Sequence, residues 1–381
     1  MEFSWSEEQL EYRHTVIEFA RKELGQDLVE RDRSSEFSLE DWRKCARFGI
    51  HGLPFPEEYG GGEADILSTM LTMEGLGYGC RDNGLIFGIN AQMWSVQMPI
   101  LRFGSEEVKQ RYLPALINGE IIGAHGMSEP DSGSDAYSLR MTARRVDGGY
   151  VLNGTKTFVS NAPVSDLVVV FATVDPSRKM WGVTGFVVDM GSEGVSVSRH
   201  IEKMGLRTSP MGEVFLDDCF VPEGNRLGPE GAGASLFKDS MEWERACILG
   251  SNIGAMERQL EQVIDYARTR TQFGKSIGQF QTVANRIVDM KVRLETARLL
   301  LYRVASLKSQ GKPAVLEAAM AKLYLSESFV QSGLDAVRTL GGWGYMTEFE
   351  VERDLRDAIG GTLYSGTSDI QRNIIASCLG L

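Results

Sequence analysis

Two carboxylates, an indole and a guanidinium follow one another in Met241-Glu242-Trp243-Glu244-Arg245-Ala246. Glu244 stands one helical turn before Ile248. That puts it on the edge of the apolar stripe that Ile248, Met256, Leu260, Val263 and Ala267 trace at helical spacing. A partly desolvated carboxylate in such a place is the kind of group that serves as a general base. Glu242 falls on another face and reads as a surface carboxylate paired with a nearby arginine.

Five further segments concentrate hydroxyls, glycines and rings. They are Met127-Ser128-Glu129-Pro130-Asp131-Ser132-Gly133-Ser134-Asp135, Asn153-Gly154-Thr155-Lys156-Thr157-Phe158-Val159-Ser160-Asn161 and Arg270-Thr271-Gln272-Phe273-Gly274-Lys275. Gly341-Gly342-Trp343-Gly344-Tyr345 and Tyr364-Ser365-Gly366-Thr367-Ser368-Asp369-Ile370-Gln371-Arg372 complete the set. Ser, Thr and Gly populate loops everywhere, so each run taken alone reads as ordinary loop; their order along the chain is what is informative. Other chemistries lack their residues. There is no GxxxxGK[ST] phosphate loop, no HExxH and no GxSxG elbow. Gly228 to Ala234 (GPEGAGA) does not follow a strand of a βαβ unit, and the four histidines (His14, His51, His125, His200) are unclustered, so no metal site is expected.

In that order, the segments resemble those of acyl-CoA dehydrogenases over essentially the full length of the chain. The resemblance implies an α+β fold with an N-terminal helical domain, a middle antiparallel β domain and a C-terminal four-helix bundle. It also implies noncovalently bound FAD and a homotetramer built as a dimer of dimers. It places groups of Met127, Ser128 and Ser160 at the flavin's polar edge, Ser134 also on the cofactor, and Phe158, where the family usually has Trp, against the isoalloxazine ring. Arg270 is expected to pair with the FAD pyrophosphate, with Phe273 packed nearby. In the family these contacts, with those of Gln281, Gly341 and Gly342, reach a neighbouring subunit's FAD; Arg338 is a further expected cofactor contact. Thr367 and Asp369 match positions near the adenosine-diphosphate part.

At its best-known catalytic position the chain departs from this pattern. Most members carry Glu in a Tyr-Glu-Gly-Thr-Ser turn; here the residue is Ser365. The α-proton of a thioester is weakly acidic and must leave as hydride passes from Cβ to the flavin, and a serine hydroxyl with no adjacent base cannot remove it. A minority of the family, the isovaleryl-CoA dehydrogenases among them, place the carboxylate on a C-terminal helix just before an Arg. Alignment through Gly250 and Gly254 puts that position on Glu244, the expected base.

The Trp243-Glu244-Arg245-Ala246-Cys247 segment and the Tyr364–Asp369 turn together resemble one subgroup, the prolyl-carrier-protein dehydrogenases of secondary metabolism, among them the prolyl oxidases of anatoxin-type pathways. Asn161-Ala162-Pro163, the run from Met256 to Gln262 and Asp335-Ala336-Val337-Arg338 add to it. The implied substrate is a prolyl group held as a thioester on the arm of a phosphopantetheinylated carrier protein, oxidised to a pyrroline or pyrrole. Ser365, Gly366, Trp243 and Arg245 are the expected pocket residues, with the Ser365 backbone N–H and the FAD ribose 2′-hydroxyl on the thioester oxygen. A small Ser365 leaves room for a ring, and equally for a branched acyl group. The alternative is therefore a short branched-chain acyl-CoA dehydrogenase forming a 2,3-enoyl-CoA. Met211, where the family often has a hydroxyl residue near the pantetheine entrance, mildly favours a donor other than free CoA, with core packing an equal explanation.

The elements that must position these residues change character twice. Up to about Gly119 the pattern is helical, with Ser6 as an N-cap and Leu10, Tyr12, Val16, Phe19 and Ala20 at helical spacing. From Ile122 to Leu227 it turns to strands: Tyr150 to Leu152 running into a turn at Asn153-Gly154, then Leu167 to Thr173, Gly185 to Asp189, Gly194 to Val197 and Gly212 to Leu216. From Gly233 it is helical again, with long helices over Gln281 to Gln310 and Pro313 to Thr339. Domains over residues 1–121, 122–232 and 233–381 follow.

The chain has 381 residues, enough to bury a sizeable core, and a formal net charge of −12, which argues against a nucleic-acid partner. No apolar run spans a bilayer and no secretory signal opens the sequence, so a cytoplasmic location and no membrane partner are expected. Five scattered cysteines (Cys45, Cys80, Cys219, Cys247, Cys378) read as free, mostly buried thiols.

Overall fold

The computed structural model describes residues 5–381. Helix α1 (Glu7–Glu23) opens with a capping box: Ser6 Oγ accepts from the Gln9 amide at 3.1 Å, and the Ser6 amide donates to Gln9 Oε1 at 3.0 Å. Its buried face is Val16, Ile17 and Ala20, whereas Leu10 and Tyr12, expected in the stripe, are exposed. The face continues one turn back through Arg13 instead. Arg13 bonds the buried Glu74 at 3.2 Å and Glu257 at 2.8 Å, so an ion-pair network replaces an apolar contact there.

After α2 (Leu28–Ser34) and α3 (Leu39–Phe48), the buried helix α4 (Ile66–Gly79) is capped by Asp65, which accepts from the Leu67 and Ser68 amides. Helices α5 (Asn83–Gln92), α6 (Met98–Phe103) and α7 (Glu106–Ile117) complete the N-terminal part.

The middle part is an eight-stranded sheet. Its strands are β1 (Gly123–Gly126), β2 (Thr142–Val146), β3 (Gly149–Ser160), β4 (Leu167–Thr173), β5 (Val183–Asp189), β6 (Val195–Val197), β7 (Met211–Pro222) and β8 (Arg226–Leu227). They follow the order β6-β7-β3-β2-β4-β5-β8, with β1 beside β4. Most pairs are antiparallel, but β1 and β2 both run parallel to β4. The expected turn at Asn153-Gly154 is absent. Gly154, at φ +146°, absorbs a register shift against β7, and β3 runs on to Ser160. Strand β4 is buried throughout: Leu167, Val169 and Phe171 face the helices, while Val168, Val170 and Ala172 pack in a second core within the sheet.

The C-terminal part begins with α8 (Gly233–Cys247) and α9 (Gly250–Thr269), separated by a break at Ile248-Leu249. A small hairpin of β9 (Thr271–Gln272) and β10 (Lys275–Ser276) leads to α10 (Gln281–Ser309), α11 (Val315–Leu340), α12 (Val351–Gly361) and α13 (Ser368–Cys378). One apolar cluster joins both helical parts to one face of the sheet, and helix α8, packed on α6, β5 and α11, sits at the junction of all three regions. The five cysteines are free; only Cys378 is exposed.

Candidate active site

Helix α8 packs between β5 and α11, and it carries Glu244 inward to 7% exposure. Opposite it lies the turn between α12 and α13. Ser365 and Gly366 both take left-handed backbone, at φ +56° and +87°. The buried Gln371 ties the turn down: its Nε2 donates to the carbonyls of Ser365 at 3.1 Å and Gly366 at 2.8 Å. This geometry aims the Ser365 hydroxyl at α8, where it donates to Glu244 Oε1 at 2.5 Å. Glu244 Oε2 is shielded from solvent and has no partner among the described residues. A carboxylate with one oxygen held and the other unclaimed is equipped to accept a proton from a bound carbon acid.

The surroundings respond to that charge. Burial pushes the Tyr364 phenol upward, with Glu244 and Asp357 adding to the shift, and its ring packs on Phe87 at 4.7 Å. On β1, burial pushes the His125 imidazole downward while Glu244 acts against it. Arg245 is half-buried with an unpartnered Nε. Trp243 turns the other way, parallel to Trp94 with centroids 6.3 Å apart and under the Lys308 ammonium at 4.4 Å. Glu242 is paired, but with a lysine where an arginine was expected, and not on the surface. It is buried, ion-paired with Lys308 and accepts from the Ala314 amide at 2.8 Å. The long α10 brings Lys308 to a face that α8 alone would leave in water.

The segments expected at a flavin edge adjoin one another. A second irregularity in β3, between Lys156 and Val159, sets Phe158 at φ +55° with its ring 65% exposed. The Thr157 amide donates to the Ser128 carbonyl at 2.9 Å, which lays Met127 and Ser128 beside that bulge. The fully buried Lys156 bonds Glu129 at 2.7 Å and the Met127 carbonyl at 3.2 Å, and burial pushes its amine down to about 8 against the pull of Glu129. Ser160 pairs with Met211 at the start of β7. An outward ring beside two hydroxyl-bearing segments fits the apolar face and polar rim of a flavin. Ser134 lies further along the loop and is exposed.

Elsewhere, Thr367 caps α13 by accepting from the Ile370 amide at 3.2 Å, and the exposed Asp369 pairs with Arg372. Arg270, Phe273, Gln281, Arg338, Gly341 and Gly342 form a separate exposed group around the β9–β10 hairpin and the end of α11. The single chain does not bring this group to Glu244, as befits residues expected to act on a neighbouring subunit. Sequence reasoning missed Gln371 and Lys322, both fully buried. For Lys322 the available signal was a lone cation inside the apolar run Ala318 to Leu325.

The comparisons with known proteins agree with this layout. Models of the N-terminal, middle and C-terminal domains of acyl-CoA dehydrogenases match residues 6–120, 124–219 and 231–380. An L-prolyl-[peptidyl-carrier protein] dehydrogenase of Pseudomonas fluorescens is 45% identical over 99% of both chains, and one of a Serratia species is 42% identical over 100% of this chain and 99% of its own. The crystal structure of the prolyl acyl carrier protein oxidase AnaB superposes with a TM-score of 0.98 at 50% identity, covering 99% of this chain and 100% of that one. PigA with FAD and proline superposes at 0.97 with 42% identity over the whole of both chains. The chain belongs to the acyl-CoA dehydrogenase family.

Proposed function

We propose that this protein is an FAD-dependent oxidoreductase acting on a prolyl thioester carried by the phosphopantetheine arm of a carrier protein. Its product is a pyrroline, or after a second oxidation a pyrrole, carboxyl thioester for secondary-metabolite biosynthesis. The observation that carries the reading is the Glu244–Ser365 pair: the carboxylate is buried on α8, and a hydroxyl occupies the turn where most of the family has the base. The similarity to L-prolyl-[peptidyl-carrier protein] dehydrogenases and to PigA with FAD and proline supports the substrate and cofactor.

Glu244 removes the prolyl α-proton through Oε2, while the Ser365 hydroxyl fixes Oε1 and so the direction of the free oxygen. The Ser365 amide faces the thioester oxygen, and the short side chain leaves space for the ring. FAD, held by Met127, Ser128, Ser134, Phe158, Ser160, Thr367 and Asp369, supplies the hydride acceptor. Arg270, Phe273, Gln281, Arg338, Gly341 and Gly342 serve the neighbouring subunit's FAD in a homotetramer. The three regions act as domains divided after residues 121 and 232. No helix among the described residues is long and apolar enough to cross a membrane, in keeping with a cytoplasmic enzyme.

The test is anaerobic mixing of FAD-loaded protein with prolyl-loaded carrier protein and, separately, with isovaleryl-CoA, following flavin absorbance and the mass of the carrier-bound product. Bleaching by the carrier substrate with loss of two hydrogens per flavin reduced is expected, and a loss of four only once an electron acceptor is admitted. Bleaching by the CoA ester alone makes the chain a branched-chain acyl-CoA dehydrogenase instead. Glu244→Gln should lower the bleaching rate roughly a hundredfold or more, the usual scale for removing a general base.

A further inference from the structure

Lys322 lies in the third turn of α11, on the face that takes Ala318, Ala321, Leu325 and Phe329 into the core. Its side chain is 0% exposed, and Nζ makes no hydrogen bond to any described residue. The other enclosed lysines differ: Lys156 is bonded to Glu129 and Lys308 to Glu242. Enclosing an unpartnered ammonium opposes folding, so packing alone does not explain it.

Helix α11 packs against α8, α12 and α13, the elements that meet at the Glu244–Ser365 pair. The charges acting on Lys322 are Glu327 on its own helix and Glu244 across the interface, opposed by Arg245. Glu327 is exposed and already engaged by the Ser368 hydroxyl at 2.6 Å. Glu244 is buried, with Oε2 unclaimed. The amine and the carboxylate are thus opposite charges, both enclosed, and neither makes a salt bridge among the described residues, although the adjacent Arg245 also acts on Glu244.

We propose that Lys322 is a positioning residue whose ammonium is the buried counter-charge holding Glu244 ionised for proton abstraction. The proposal rests on Glu244 being the base. Burial pushes the Lys322 amine down to about 8, with Glu327 and Glu244 working against that shift, so the cation is present at neutral pH and lost above about 8. When Glu244 takes the substrate proton, Lys322 becomes the uncompensated charge. That favours release of the proton to solvent and resets the base.

The test is the pH dependence of flavin bleaching by prolyl-loaded carrier protein, together with the thermal midpoint of the FAD-loaded protein, for Lys322→Met and Lys322→Arg. Removing the cation makes an ionised Glu244 less favourable, so the acidic limb for Lys322→Met should move up by about one pH unit, with a rate loss of roughly tenfold at pH values below the wild-type limb. Its midpoint should be unchanged or higher, because an unpartnered charge has left the core. Lys322→Arg should keep the wild-type limb. A folded, FAD-loaded Lys322→Met with the wild-type limb overturns the proposal; so does a rate lowered equally at every pH together with a lower midpoint, the mark of a structural lysine. Lys322→Gln gives the same reading if the methionine variant does not accumulate. Glu244→Gln turning over at the wild-type rate would remove the base itself, whereas an unmoved limb removes only the role of Lys322.

Discussion

At the scale of single residues, Ser365 carries two features that substitution can separate. Its backbone is left-handed, which a side chain resists and glycine does not, and its hydroxyl is spent on Glu244. Ser365→Gly removes the hydroxyl and relaxes the backbone; Ser365→Ala removes only the hydroxyl. Both should reduce the rate of flavin bleaching by about tenfold near neutral pH, the scale of one lost hydrogen bond to a charged group, and both should move the acidic limb upward. Only the alanine variant should keep the wild-type turn strain, so its thermal midpoint should lie at or below that of the glycine variant. Equal, wild-type rates in both would show that the hydroxyl does not orient the base. Glu244 was reached through the family resemblance; its place one turn before Ile248 agreed with a buried face, although the helix breaks at Ile248-Leu249. Lys322 and Glu242 were not legible, since a charged residue on a helix ordinarily meets water and only tertiary packing encloses it.

At the scale of elements, α8 is placed by what packs around it, and that packing depends on close backbone approach elsewhere. Helices α4 and α9 cross where Gly77 faces the Ser251 carbonyl and Gly254 faces the Glu74 carbonyl; a Cβ on either glycine would overlap those oxygens. Gly254→Ala should therefore lower stability by about 2 kcal/mol or more despite alanine's better helix propensity, measurable as a reduced denaturant midpoint. A neutral or stabilised variant would mean that the crossing gives way. Helix α9 and its apolar stripe are readable at a period of 3.6, but the crossing role of Gly254 is not. Strands β4, β5, β6 and β7 were readable too, whereas β1, β2 and β8 were not, and in β3 Asn153-Gly154 has the composition of a turn but sits in a bulge. Local sequence cannot distinguish the two, because the choice is made by pairing with β7, about sixty residues away.

At the scale of the whole molecule, the chain leaves apolar surface where an isolated subunit has no use for it. Phe273 is 93% exposed at the tip of the β9–β10 hairpin, and Val288, Val292 and Leu299 are each more than half exposed along α10. Single exposed apolar residues are ordinary, but a ring at a hairpin tip beside Arg270 and Gly274 is where the proposed neighbouring subunit would dock. Sedimentation of the FAD-loaded protein should give four chains. Phe273→Asp should dissociate the assembly or weaken FAD retention by at least tenfold, read by the free flavin released on dilution. A monomeric wild type with tightly held FAD would end the assignment of the Arg270–Gly342 group to a neighbour's cofactor.

What the sequence determined by itself was the periodicity of most elements and the order of helices, strands and helices; Glu244 as the candidate base came through the family resemblance. Periodicity and order follow from local spacing and from motifs that lie within a few residues. Only the tertiary structure decided which charges lose their water. It closed the Ser365 hydroxyl onto Glu244 across about 120 residues of chain, enclosed Lys322 behind them, and turned Glu242 into a buried partner of Lys308. Burial is a property of the assembled surroundings, and no window of sequence contains them.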